Sequence, residues 1–353
     1  MIPNYKSVHN QFKLNGQHYT FATLKEQANS LANESESYKN DIGLFLMDWL
    51  NDELTLTVTT SGSTGIPKHF ELSKQAMVNS AFATGDYFQL QPTNTALLCL
   101  PITYIAGKMM LIRAIVLGLH IDLVVPNSNP LKYLNKVYDF VAMVPMQLEN
   151  SIIGLFKVNT LIVGGAKVSH ELINKIQKST SNVYETYGMT ETITHIAVRK
   201  LNHTLSITNF DVLPNIQISQ DERACLVIHA PYLNDKPIIT NDIVKLHSAT
   251  SFELLGRFDN VINSGGIKIH PEQLETKLLT FLDTEFFITS RDNPTLGEEV
   301  ILVVEGEERA LSKAIFSSFN KHEIPKDILF VNAFKRTTSG KINRAVTLAS
   351  AKK

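Results

Sequence analysis

Between residues 54 and 187 short apolar runs and amphipathic stretches take turns along the chain. Leu54–Val58 is β-branched and alternates like a strand, and from Ser73 small and apolar residues recur at helical spacing (Ala76, Met77, Ser80, Ala81, Thr84). Ser73 is placed to cap that helix. The pattern then predicts a buried strand over Thr95–Pro101, an apolar helix over Tyr104–Leu117 and a strand over His120–Pro126. Further strands are expected at Phe140–Val144, Thr160–Val163 and Asn182–Tyr187, with a helix at Ser169–Lys178 capped by Ser169. The first fifty residues are polar and weakly patterned, with one amphipathic segment around Leu44–Leu50.

Strands alternating with helices imply parallel pairing with helices on both faces, so the fold class is α/β with a mostly parallel sheet. In such sheets ligands collect beyond the carboxyl ends of the strands. From Arg223 the pattern changes to short strands (Ala224–His229, Ile238–Leu246, Phe252–Leu255), the mark of a small antiparallel β unit. Beyond Gly256–Gly266 come a helix from Pro271, a strand at Val300–Val304, a helix near Leu311–Phe319 and a strand at Ile328–Val331. The expected division is therefore a large domain over 1–257 and a small α+β domain over 258–353.

Three Gly-containing stretches fall at predicted strand ends: Thr59–Lys68 (TTSGSTGIPK), Gly164-Gly165-Ala166 and Tyr187-Gly188-Met189-Thr190-Glu191. Glycines let backbone N–H groups close on an anion or a flat ring, and hydroxyls and a lysine add donors and charge. The first stretch is not a Walker loop, because Ile66-Pro67 separates Gly65 from Lys68. Taken singly, each also reads as a polar turn.

Composition narrows the partners. A net charge of −1 leaves no excess of Lys and Arg to neutralise nucleic acid or an anionic membrane. Cys99 and Cys225 sit in apolar runs and are expected as reduced core residues. The N-terminal residues lack the apolar core of a secretory signal, and no run approaches the ~20 apolar residues of a spanning helix, so a cytoplasmic location is expected.

Taken in order, the stretches TTSGSTGIPK, LPITYIAG, GGA, YGMTET, TND, GRFDNVINSGGIKIHPEQLE and TTSGKINRA resemble the adenylate-forming superfamily of acyl- and aryl-CoA ligases, luciferases and peptide-synthetase adenylation domains. They run from Thr59 to Ala345, nearly the whole chain. The resemblance implies ATP, Mg²⁺ and coenzyme A as reactants and a mobile C-terminal lid. By that resemblance Ser61, Gly62, Ser63, Thr64, Gly65 and Lys68 would wrap the ATP phosphates. Gly164, Gly165 and Ala166 would line the adenine and acyl pockets, Tyr187 and Gly188 would meet adenine, and Thr190 would contact phosphate. Glu191 would hold Mg²⁺, Asp242 the ribose hydroxyls, and Arg257 the ribose and phosphate region. Asp259 would be the hinge, Gly265, Gly266 and Ile267 would form the CoA tunnel, and Lys341 would be the catalytic lysine on the lid.

The chain departs from the family pattern three times. Asn241 replaces the glycine of Thr-Gly-Asp, a substitution expected to suit positive φ. Tyr104 stands where the Leu-Pro motif has histidine; being equally flat and able to hydrogen-bond, it is expected at the substrate, although that histidine's gating role does not carry over with it. The phosphate loop also begins near residue 59, earlier than in ordinary members, so a smaller acyl-pocket wall or one completed by a second copy of the chain is expected.

The Tyr-Ile-Ala-Gly-Lys variant is similar to short o-succinylbenzoate–CoA ligases of menaquinone biosynthesis, in which a basic residue follows the motif's glycine by six positions. Here it is Arg113, inside the apolar helix. An arginine there is costly unless paired, and a carboxylate suits a guanidinium in bidentate geometry. The partner is either a ligand carboxylate or a protein one such as Asp86 or Asp122; Lys108 is a second candidate for the same task. Alternatives to this activity are a ligase for another small acid, an adenylation domain serving a carrier protein, and a non-catalytic nucleotide-binding protein.

Overall fold

The structure is a computed structural model and describes residues 3–60, 68–204, 208–336 and 342–351. Its centre is a run of five parallel strands in the spatial order His120–Leu123, Thr95–Leu98, Tyr138–Met143, Val158–Val163, Asn182–Gly188. Alternation along these strands sends residues to two separate cores. Ala96, Leu98, Phe140 and Ile162 pack on one face, whereas Leu97, Val141, Leu161 and Val163 pack on the other. Both faces are covered, as expected for parallel strands. The chain leaves Thr95–Leu98, crosses to His120–Leu123 on one side and returns to Tyr138–Met143 on the other. That reversal opens a crevice beyond the carboxyl ends of Thr95–Leu98 and Tyr138–Met143.

The helix Ile105–Leu117 lies under this crevice, buried almost along its whole length and stopped by Gly118 in the left-handed conformation. Helix Lys74–Phe88 packs beside it, with the Ser73 hydroxyl accepting from the Ala76 N–H as the sequence predicts. Ser169 likewise caps His170–Ile176 by accepting from Leu172. Cys99 and Cys225 are buried and unpaired. No described helix is long and apolar enough to cross a membrane.

Four features differ from the sequence reading. The strand Thr55–Thr60 is not followed directly by a helix: Lys68–Ser73 returns antiparallel to it, forming a two-stranded ribbon. The Lys68–Ser73 strand went unread because its alternation is short and ends in the helix cap. The weakly patterned N-terminal region holds two helices, Phe21–Ala32 and Ser37–Trp49. Leu24, Ala28 and Leu31 bury one face of the first, a spacing masked by the polar residues between them. The antiparallel strands after Arg223 are not a separate unit but extend the same sheet, through His195–Lys200 and Asn209–Val212, neither anticipated. Beyond residue 258 a second sheet forms around Gly297–Glu305, with Phe286–Asn293 antiparallel and Asp327–Val331 parallel to it. It has its own core of Ile262, Leu274, Ile288 and Leu302. Phe286–Asn293 and the helix Arg344–Ala351 are additions to the expected elements, and the expected helix near Leu311–Phe319 is a short 3-10 turn, Lys313–Phe316.

Candidate nucleotide and acid site

A cavity of about 320 Å³ opens at the crevice. Its walls come from the carboxyl ends of three neighbouring strands (Met143, Gly164 and Gly188 among them), from Ile105 and Arg113 of the underlying helix, and from Thr190, Ile193, Thr194 and His195. Two glycines shape it. Gly165 has φ +86°, a conformation side-chain-bearing residues rarely adopt. At Gly188 a Cβ would fall 2.4 Å from the Thr194 carbonyl oxygen, so only glycine lets the following loop fold back on the strand.

Arg113 is 1% exposed, yet it lines the cavity. Among the described residues no carboxylate pairs with it: Asp122 is taken by Lys136 (2.7 Å) and Tyr138 (3.0 Å), and Asp86 makes no ion pair. Its Nη2 donates to Thr194 Oγ1 at 3.3 Å, and its Nε has no partner. Burial lowers its pKa to about 9, which still leaves the guanidinium charged at neutral pH. Of the two protein partners considered, then, neither is used.

Lys108 faces elsewhere. Its ammonium sits 4.7 Å from the centre of the Phe45 ring and it is not part of the cavity wall, because five positions along a helix put it about 140° around the axis from Arg113. Tyr104 caps the helix from outside, 57% exposed, and does not line the cavity either.

On the other side, the residues expected around the nucleotide converge. The Tyr187 hydroxyl donates to Asp242 Oδ2 at 2.5 Å, and Arg257 reaches Asp242 Oδ1 at 3.2 Å and Asp259 Oδ2 at 2.8 Å. Burial, then the Asp242 charge, pushes the Tyr187 phenol far above its usual range, so it stays a donor. Its ring packs edge-on against Phe252, 5.2 Å between centres, so Tyr187 also holds Asp242 in place. Thr190 lines the cavity, while Glu191 beside it points into solvent. No group of three or more His, Cys, Asp or Glu able to hold a metal occurs among the described residues. A lone carboxylate beside the cavity nonetheless fits Mg²⁺, which takes few protein ligands and completes its shell with water and ligand oxygens.

Asn241 corrects the sequence reading. It is not among the residues with positive φ but lies within the strand Ile238–Ser248, and its side-chain amide donates to both oxygens of Asp259 at 3.1 and 3.3 Å. The hydrogen bond from Arg257 holds the Asp259 carboxyl below its usual range. Gly265 and Gly266 both have positive φ, at the turn between Ile262–Ser264 and Ile267–Ile269, with Ile267 exposed. Ala166 is exposed just past Gly165. Ser61, Gly62, Ser63, Thr64, Gly65 and Lys341 lie outside the described residues, and Lys68 begins the strand that closes the ribbon.

The sequence reading missed Thr194 and His195. His195 is buried against Arg113, and burial followed by that positive charge lowers its pKa well below 6.5. A histidine in an apolar strand usually signals only core, and Arg113, which reaches it through Thr194, lies far away in sequence. The folded protein therefore binds fewer protons here than the unfolded chain, and stability from this group is lost as pH falls through 6.5. Its share of the slope reaches at most about 1.4 kcal/mol per pH unit. We expect urea denaturation of His195→Asn to show a flatter pH dependence between pH 6.5 and 5 than the parent; equal slopes would mean that His195 titrates normally.

A model of the AMP-binding enzyme family matches residues 47–218. The chain is 34% identical to a solved acyl-CoA synthetase (AMP-forming)/AMP-acid ligase II-like protein from Dyadobacter fermentans, covering 93% of this chain and 98% of that one at a TM-score of 0.64. It is 26% identical over 328 residues to a probable 2-succinylbenzoate–CoA ligase of Mycobacterium tuberculosis, covering 84% of each. The o-succinylbenzoate CoA synthetase of Bacillus subtilis, solved with its acyl-adenylate intermediate, superposes at a TM-score of 0.76 over 95% of both chains at 15% identity, a likeness of fold.

Proposed function

The chain belongs to the AMP-binding enzyme family, and from that premise we propose that it is an AMP-forming acid–CoA ligase whose acid is o-succinylbenzoate. The observation that carries the choice of acid is Arg113: a buried, charged guanidinium in a cavity wall with no carboxylate from the described residues. o-Succinylbenzoate has two carboxylates, one to be activated and one to be held. A planar guanidinium holds the second in bidentate geometry and is repaid for its own desolvation.

In the first half-reaction the succinyl carboxylate oxygen attacks the α-phosphorus of ATP. The bond to the β-phosphate oxygen breaks, and acyl-adenylate and pyrophosphate form. Asp242, steadied by Tyr187 and Arg257, would accept hydrogen bonds from the ribose hydroxyls. Gly164 and Gly165 would admit adenine, Thr190 and the Gly-rich stretch the phosphates, and Lys341 would offset the charge growing on phosphate oxygen. Glu191 would hold Mg²⁺, which neutralises phosphate charge when bound. In the second half-reaction the lid, residues 258–353, would swing about Asp259, withdrawing Lys341 and bringing Gly265, Gly266 and Ile267 to line the path of the CoA arm. The thiol loses its proton and attacks the acyl carbon, the bond to AMP oxygen breaks, and thioester and AMP leave. Its reactants are those of the cytoplasm.

The test is pyrophosphate release from ATP with a panel of acids, with and without CoA. o-Succinylbenzoate should give the fastest release, and CoA should convert a single turnover into steady turnover. A preference for benzoate or a fatty acid would overturn the substrate, and turnover with a carrier protein but not CoA would overturn the acceptor.

A further inference from the structure

We propose that Thr194 and His195 form a positioning relay that fixes Arg113 for the second carboxylate of a dicarboxylic acid, so that they set the preference for such an acid over its monocarboxylic analogue. The inference rests on the substrate reading above.

The relay has a direction that the hydrogen bonds impose. Thr84 Oγ1 lies 3.0 Å from the Ser80 carbonyl oxygen, one turn earlier in the same helix. Its only proton goes to that carbonyl, so toward His195 Nε2, 3.4 Å away, it can only accept. Nε2 therefore carries the imidazole proton, and Nδ1 of the neutral ring is left as an acceptor. Thr194 Oγ1, 3.3 Å from Nδ1, must then donate to it. A hydroxyl that has spent its proton presents only lone pairs, and these face Arg113 Nη2 at 3.3 Å. Along the path from Arg113 Nη2 to the Ser80 carbonyl each donor faces one acceptor, so the tautomer of His195 and the direction of the Thr194 hydroxyl are set together.

The backbone is bent to deliver Thr194. Ile193 has φ 67° and ψ −55°, and the Thr194 N–H bonds to the Thr192 carbonyl at 2.7 Å. That is a γ-turn of the rarer, strained hand, here centred on a β-branched residue. Strain of this kind persists where the surroundings dictate it. Gly188 leaves the room for the turn, since any Cβ there would strike the Thr194 carbonyl. The outcome is a single hydroxyl held against a guanidinium that would otherwise be free to swing in the cavity wall.

The experiment compares o-succinylbenzoate with 4-oxo-4-phenylbutanoate, the same acid without its ring carboxylate. In Thr194→Val, which keeps the shape and removes the hydroxyl, KM for o-succinylbenzoate should rise about tenfold at near-constant kcat. KM for the monocarboxylic analogue should not change. Thr194→Ser should restore the parent value. His195→Asn, which keeps an acceptor near the Nδ1 position, should stay close to the parent, whereas His195→Leu should behave as Thr194→Val. Equal KM shifts for the two acids, or none, would overturn the relay while leaving the substrate intact. A parent enzyme that uses both acids equally well would overturn the substrate reading and the relay with it.

Discussion

Arg113→Met should lower kcat/KM for o-succinylbenzoate by roughly 100- to 1,000-fold, the scale of losing one partner of a buried charge pair, about 3–4 kcal/mol. The same change should leave the protein at least as stable. Arg113 is among the largest fully buried side chains, its Nε has no partner, and its charge is offset by no carboxylate among the described residues. An apolar side chain of similar length relieves that desolvation, and such replacements are typically neutral or stabilising. Arg113→Lys keeps the charge but not the fork, and should recover only part of the activity. The monocarboxylic analogue, 4-oxo-4-phenylbutanoate, should be used equally well by all three proteins. The combination is diagnostic: a structural arginine would lose stability and lose activity with every acid. Calorimetry beside the kinetics of two acids decides between them, and a fall in Tm accompanied by equal losses on both acids would refute the assignment.

The parallel centre of the fold was legible because its strands are apolar runs bounded by Gly and by capping serines. Ser73 and Ser169 do in the structure what their spacing predicts. The ribbon strand Lys68–Ser73 and the helix Phe21–Ala32 were not legible, because their buried residues are too few or too widely spaced for the periodicity to stand out. Site residues fared by a different rule. Arg113 could be singled out because a charge within an apolar helix violates the pattern around it. Thr194 and His195 violate nothing locally, and their role exists only where two chain segments meet. Lys108 shows the converse: it stands as near to the motif as Arg113 in sequence, but helical geometry turns it toward Phe45. Asn241 is intermediate, since its departure from glycine was visible but its use, a hydrogen bond to Asp259, was not.

Lys341→Ala should separate the two half-reactions. We expect acid-dependent ATP–pyrophosphate exchange to fall by about 10³-fold, the scale on which one preorganised donor at a developing oxyanion acts. Thioester formation from supplied acyl-adenylate and CoA should remain within about threefold of the parent. The reasoning turns on where charge builds up. In the first step negative charge grows on the α-phosphate oxygens, and a fixed ammonium lowers that barrier more than it aids ground-state binding. In the second step charge builds first on the acyl oxygen as the thiolate adds to the acyl carbon, away from the α-phosphate, so a lysine withdrawn with the lid is not required for that addition. Lys341 itself lies outside the described residues. A lysine that serves one step and is absent from the next requires the proposed lid to move relative to the crevice. Equal losses in both assays would mean that the lysine acts throughout, and the proposed swing about Asp259 would then have no work to do.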